Sequence, residues 1–271
     1  MDPRRNRPPA TVLGLPAACI ASTPADRITK HGPDRMNQRT IDPRVIRGMA
    51  AQLASRRERI EAGDKSIGWK VGYGTPAAMQ RYGLVAPLVG FLSASLRVPS
   101  GGAVSLRGWS RPTAEPEIAV YIGQNLDRDV DEAAARAAIS ALGPAIELVD
   151  PDPAEEDVTT ILAGNVFHRH VVLGPASPSH AGGDVSGLAG RIRRNGTEIA
   201  ATSDLEANAG KIVPIVRYVA DLLARSGERL RAGEFIIAGS VVPPIPLDDA
   251  DEEIAFDVGP LGSVSVRFAK A

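Results

Sequence analysis

The sequence predicts an α+β fold with a mainly antiparallel or mixed sheet. Short apolar runs bounded by Gly, Pro or Asp outnumber helical stripes, no internal repeat runs along the chain, and strands do not alternate with helices in the βαβ order of a parallel sheet. With 271 residues, 44% of them hydrophobic, the chain can bury one large core or two modest ones.

Residues 1–35 hold six prolines and six basic residues without periodicity, too little apolar surface to offset the entropy of ordering. They read as a disordered leader, or as an extension ahead of a start at Met36, with residues 36–271 as a single domain. Arg4, Arg5 and Arg7 before the apolar stretch from Ala10 to Ala21 imitate a secretory signal, but Pro16 interrupts it and Asp2, Pro8 and Pro9 spoil its charged end.

Asp42 is an N-cap residue, Pro43 suits the first helical position, and Val45, Met49, Leu53 and Ile60 lie near one stripe, predicting a helix from Pro43 to Glu61 that Gly63 and Asp64 end. Ile67 to Val71 reads as a strand, and Ala77 to Tyr82 as a short helix. Val104 to Leu106, Glu117 to Ile122 and Ala145 to Val149 are apolar runs of strand length. Between the last two, Asp131 caps a helix expected over Ala133 to Leu142, with Gly143-Pro144 as its stop. Asn195-Gly196 predicts a type I′ hairpin joining Arg191–Arg194 to Thr197–Ala201. A helix from about Gly210 to Arg225 follows, then strands at Phe235 to Ala238, Ile254 to Val258 and Val264 to Phe268.

Composition excludes several function classes. Lys and Arg total 31 against 32 acidic residues, so the net charge of -1 supplies no footprint for nucleic acid or an anionic membrane, and 4% aromatics are too few for base stacking. No apolar run approaches the roughly 20 residues of a membrane helix. Cys19 is the single cysteine, which excludes an intramolecular disulfide framework and a multi-thiolate zinc site and fits a reducing, cytoplasmic setting.

Three carboxylates need an explanation. Glu115 and Glu117 flank Pro116 at the head of a strand, where period-2 alternation sends both to one face and like charges repel. Glu147 sits within Pro144-Ala145-Ile146-Glu147-Leu148-Val149, the composition of a buried strand, where an unpaired carboxylate is unfavourable. A Glu-x-Glu pair on a solvated strand face is the plain structural alternative. One divalent ion shared by all three would resolve the set, and hard oxygen donors point to magnesium or manganese.

Gly68-Trp69-Lys70-Val71-Gly72, Glu115-Pro116-Glu117 and Pro144 to Asp150 resemble three blocks of the fumarylacetoacetate hydrolase superfamily, nearest its 2-keto-4-pentenoate hydratase branch. Asn165 with Val171-Val172-Leu173-Gly174, and Ala232-Gly233-Glu234 with Ala238-Gly239-Ser240, agree in outline, so the resemblance covers roughly Ile41 to Phe268. It implies a mixed β-roll or sandwich core with flanking helices, and a magnesium or manganese ion held by Glu115, Glu117 and Glu147. Lys70 takes the place of the family's pocket lysine, beside a 2-oxo acid that chelates the metal. Asn165 and Tyr73 are expected to border the substrate, and homo-oligomers are common in the superfamily. The implied reaction is addition of water to a small 2-hydroxydienoic or 2-oxo-enoic acid. Acylpyruvate hydrolysis or 2-oxo acid decarboxylation on the same site are alternatives, as is a non-catalytic metal-binding partner subunit.

The departures from the hydratase pattern concern proton handling. An expected aspartate is absent from Pro87-Leu88-Val89-Gly90, a pocket serine becomes Phe167 or His168, and a threonine becomes Val242. His168 and His170 are the expected replacements, His168 foremost as general acid or base, because an imidazole titrates in the useful range; ordinary polar residues flanking the strand Val171 to Leu173 are the plain alternative. A regular strand would put His168 and His170 on one face and turn Arg169 the other way, towards Asp150 or solvent.

Overall fold

A computed structural model describes residues 41–152 and 154–269, so the leader expected over 1–35 lies outside the described residues. The elements run α1 (Pro43–Glu61), β1 (Ser66–Gly72), α2 (Pro76–Tyr82), β2 (Leu88–Ser93), β3 (Arg97–Pro99), β4 (Ala103–Ser105), β5 (Thr113–Ile122), α3 (Glu132–Ala138), β6 (Ile139–Val149), α4 (Val158–Ala163) and β7 (His168–Leu173). They continue with β8 (Gly190–Arg194), β9 (Thr197–Thr202), α5 (Ile212–Arg225), β10 (Phe235–Ser240), β11 (Ile245–Pro246), β12 (Glu253–Val258) and β13 (Gly262–Ala269).

The larger sheet has the order β2-β1-β10-β5-β6-β7-β3, with β11 added to β5; the smaller runs β4-β13-β12-β8-β9. Both are mixed: β1 pairs parallel to β10, β3 to β7 and β4 to β13, and the remaining pairings are antiparallel. Strands β12 and β13 pack on β6, while α1 lies against α4 and α3 against α5. This is the α+β architecture expected. Trp69, Met49, Leu88 and Phe256 are among its fully buried side chains.

Local signals work as the sequence suggests at the α1 cap and the β8–β9 turn. Asp42 caps α1 by accepting the Arg44 N–H, and Asn195-Gly196 turns the β8–β9 hairpin with positive φ at both residues, 51° and 80°. The expected helix over Ala133 to Leu142 is corrected: α3 ends at Ala138, and Gly143-Pro144 lie inside β6. Pairing overrides the local stop signal, because Leu142, Gly143 and Pro144 stand opposite Val120, Ala119 and Ile118 of β5. Gly143 is needed for close approach rather than for capping; a Cβ there would lie 2.4 Å from the Pro175 carbonyl oxygen.

Candidate metal centre and cleft

Central pairing assembles the acidic residues. Glu115 stands directly opposite Glu147 across the β5–β6 ladder, and Glu117 is two residues along the same face. One ligand oxygen from each carboxylate lies within 4.8 Å of the others. Glu117 and Glu147 are fully buried, and Glu115 is half-buried.

Each buried carboxylate has one oxygen satisfied and one left over. Glu117 Oε2 accepts the Gly239 N–H at 2.6 Å, where the left-handed φ of 96° at Gly239 turns the backbone. Glu147 Oε1 accepts from Lys70 Nζ at 2.6 Å and from His168 Nδ1 at 2.7 Å. Glu117 Oε1 and Glu147 Oε2 have no hydrogen-bond partner among the described residues. Buried orphan oxygens of this kind call for a cation or a proton. Burial, reinforced by the Glu147 charge, pushes the Glu115 carboxyl up to about 7, and burial raises Glu117 well above the ordinary range. Burial also opposes ionisation of Glu147, but the Lys70 charge and the His168 hydrogen bond outweigh it and hold this carboxyl below its usual value. Two unsatisfied oxygens and a third, repelled carboxylate form an all-oxygen donor set that fits one hard divalent ion.

Lys70 reaches the cluster from β1, and its ammonium also donates to the Val166 carbonyl at 3.1 Å, leaving one of three donors free. Its stem runs over Gly90, where a Cβ would come within 2.8 Å of Lys70 Cγ. The Val166 carbonyl belongs to a turn in which Asn165, Val166 and Phe167 are all left-handed, with φ of 54°, 52° and 60°. Such a run without glycine is strained, more so at β-branched Val166. Asn165 anchors it: its Oδ1 accepts the Phe91 N–H at 2.8 Å and its Nδ2 donates to the Phe91 carbonyl at 3.0 Å. Asn165 is thus engaged with the edge of β2 and is not among the residues lining the cleft.

Beside the cluster opens a cleft of about 340 Å³. Lys70 and Glu115 are the charged residues among its lining, and Tyr73, Phe167, Val149 and Pro244 supply apolar wall. Tyr73 is on this wall as expected, its ring edge-on to Tyr82 at 4.9 Å, and burial followed by the Tyr82 neighbour pushes its phenol up. Of the two candidates for the missing serine, Phe167 faces the cleft.

His168 does not. Its side chain is buried against Glu147 and is absent from the cleft lining. A bulge between β6 and β7 sets the face it occupies. Leu148 pairs with His170, but Val149 rather than Asp150 pairs with His168, which moves His168 onto the Glu147 face and separates it from His170. His170 instead stacks on Trp109 at 6.0 Å and approaches the Leu96 carbonyl. Arg169 turns to Asp150 at 3.0 Å, as expected.

Two contributors had no assigned role in the sequence reading: the Gly239 N–H, and Asn208, whose Nδ2 donates to the Ser240 and Val242 carbonyls at the cleft margin. The Ala238-Gly239-Ser240 block carried a signal for the first. Asn208 lies in a loop without one.

A mixed-sheet fold with three carboxylates and a lysine beside one cleft defines a family of enzymes. Residues 65–269 match the model of the fumarylacetoacetate (FAA) hydrolase C-terminal family, and the chain belongs to that family. It is 31% identical to the TodF product hydratase of Pseudomonas putida, over 82% of this chain and 83% of that one. It is 30% identical to a 4-oxalocrotonate decarboxylase of Pseudomonas putida, over 80% and 83% of the two chains. Among solved structures, the 4-oxalocrotonate decarboxylase of Pseudomonas putida G7, complexed with magnesium and adipate, superposes with a TM-score of 0.74 at 29% identity, covering 81% of this chain and 85% of that one.

Proposed function

We propose that this chain is a divalent-metal-dependent hydratase that adds water to a small 2-hydroxydienoic or 2-oxo-enoic acid with an uncharged tail. The observation that carries the reading is the cleft wall: Lys70 is the one cation among the described lining residues, and it stands beside the carboxylate cluster while much of the remaining wall is apolar. A substrate with one carboxylate finds its partner there. A dicarboxylate would place its second charge against Phe167, Val149 or Pro244, without a counter-charge.

Glu115, Glu117 and Glu147 would hold magnesium or manganese. When bound, such an ion supplies Lewis acidity that stabilises negative charge on a 2-oxo or enolate oxygen. The free N–H of Lys70 donates to the substrate carboxylate or to the developing oxyanion, and its second positive charge strengthens both contacts in a low-dielectric site. Tyr73 and Phe167 flank the carbon chain and limit access of bulk water. The Glu147 carboxylate fixes the Lys70 ammonium by their 2.6 Å contact, consistent with an electrostatic role rather than imine formation.

Residues 36–271 form the catalytic domain in this reading, which acts as a homo-oligomer in the cytoplasm, in keeping with the superfamily's habit and the single cysteine. Its partner is the small acid, and the near-neutral charge favours neither nucleic acid nor an anionic membrane. Among the described residues no helix is long and apolar enough to cross a membrane. The test is a panel of 2-hydroxydienoates with neutral and carboxylate tails, acylpyruvates and 4-oxalocrotonate, each with magnesium or manganese, followed by product mass. Water addition to neutral-tailed acids is expected. Preferential loss of carbon dioxide from the diacid, or cleavage of acylpyruvates, would replace this reading.

A further inference from the structure

We propose that His168 is a positioning residue: its Nδ1–H, with the Lys70 ammonium, occupies one oxygen of Glu147 and turns the other towards the metal position, setting the affinity for a divalent cation. The inference rests on the metal reading above and concerns a residue with no part in the chemistry.

A carboxylate at the end of a glutamate rotates in a broad, two-fold torsion, so its two oxygens exchange easily. At Glu147 that symmetry is broken. Oε1 receives both donors, at 2.6 Å and 2.7 Å, and Oε2 receives none although the side chain is wholly buried. Lys70 alone would hold Oε1 with a point charge that has no single donor direction and is also shared with the Val166 carbonyl. The imidazole adds a rigid, directional donor from the opposite strand, and the β6–β7 bulge brings it to this face. The side chain is fully enclosed, with Nε2 lacking a hydrogen-bond partner among the described residues, so Nδ1 makes the ring's one polar contact there. Partners of this type commonly change metal affinity by 10- to 100-fold when removed.

The experiment is calorimetric titration of manganese into the full chain and into His168→Ala, His168→Asn and His168→Gln, with circular dichroism to verify folding. Asparagine presents an N–H near the place of Nδ1; glutamine presents one near Nε2, which points away from Glu147. The expected result is a roughly 10- to 100-fold weaker affinity in His168→Ala and His168→Gln, with substantial recovery in His168→Asn. Turnover should be lost at low manganese and regained as manganese rises. If alanine fails to fold, the asparagine and glutamine variants carry the test, and equal affinity in those two overturns the proposal. So does wild-type affinity in His168→Ala, or a turnover defect that added manganese does not relieve. A wild-type chain that binds no manganese overturns the metal reading itself, an outcome distinct from wild-type binding that is insensitive to residue 168.

Discussion

Glu115, Glu117 and Glu147 crowd three carboxylates onto the face shared by β5 and β6, and that crowding makes the stability of the metal-free chain depend on pH. Glu115 has a folded-state value of about 7 against an ordinary 4.5, and Glu117 is also raised well above that ordinary value, so the folded chain retains protons that the unfolded chain has released. Stability from these groups is therefore present at low pH and is lost as pH rises towards and through the folded values. Burial lowers His168 below its ordinary 6.5 and acts in the opposite sense, but only beneath that value, as does lowered Glu147 in the carboxylate range. With chelator present, the melting temperature should fall between about pH 5 and about pH 7, where the protons retained by the two glutamates outnumber the one that His168 excludes. Magnesium or manganese should restore it, with a larger shift at the higher pH, because protons then compete less for the same oxygens. Lys70 gives a second prediction at this scale. Lys70→Gln removes a charged donor next to the developing negative charge, and kcat should drop by roughly 10² to 10³ in steady-state assays at saturating metal. A reducible covalent adduct between Lys70 and substrate, found by borohydride trapping and peptide mass, would contradict the electrostatic assignment.

At the scale of elements, the edge of β2 and the left-handed turn before β7 support each other through Asn165. Replacing Asn165 with Ala leaves the Phe91 N–H and carbonyl without this partner, and a loss of about 1–3 kcal/mol in urea unfolding is expected. Gly90→Ala should injure the site more selectively, because the added methyl would lie 2.8 Å from Lys70 Cγ and 2.9 Å from Asn165 Oδ1. Weaker substrate binding and lower turnover should accompany its loss of stability. Asp42→Ala, remote from the cleft, should cost about 1 kcal/mol through the α1 cap. That element was legible because a cap, a proline and a stripe agree within one segment. Strand β2 escaped the same reading: Leu88 to Ser93 are all buried, so alternation is absent and a continuous apolar run remains.

For the whole molecule, the α+β class, the helices α1 and α2, the β8–β9 hairpin and the residues of the acidic cluster could be read from spacing, capping and composition, because each signal lies within a few residues. The blocks around Lys70, Glu115 and Glu147 pointed to one family in the same way, and residues 65–269 match it. Tertiary structure decided what those residues do to one another. Gly143-Pro144 is a stop signal by local propensity, yet pairing with β5 makes it the middle of β6. Asn165 carries no local signal for its partner, yet Phe91, 74 positions away in sequence, bonds both ends of its amide. His168 carried the chemistry of a proton shuttle, and one bulged residue moved it from the His170 face to the Glu147 face, where it is buried against that carboxylate. Local sequence sets which groups are present and the period with which they leave the backbone. Register, bulges and contacts between distant segments set the direction each group faces, and they depend on the packing energy of the whole fold.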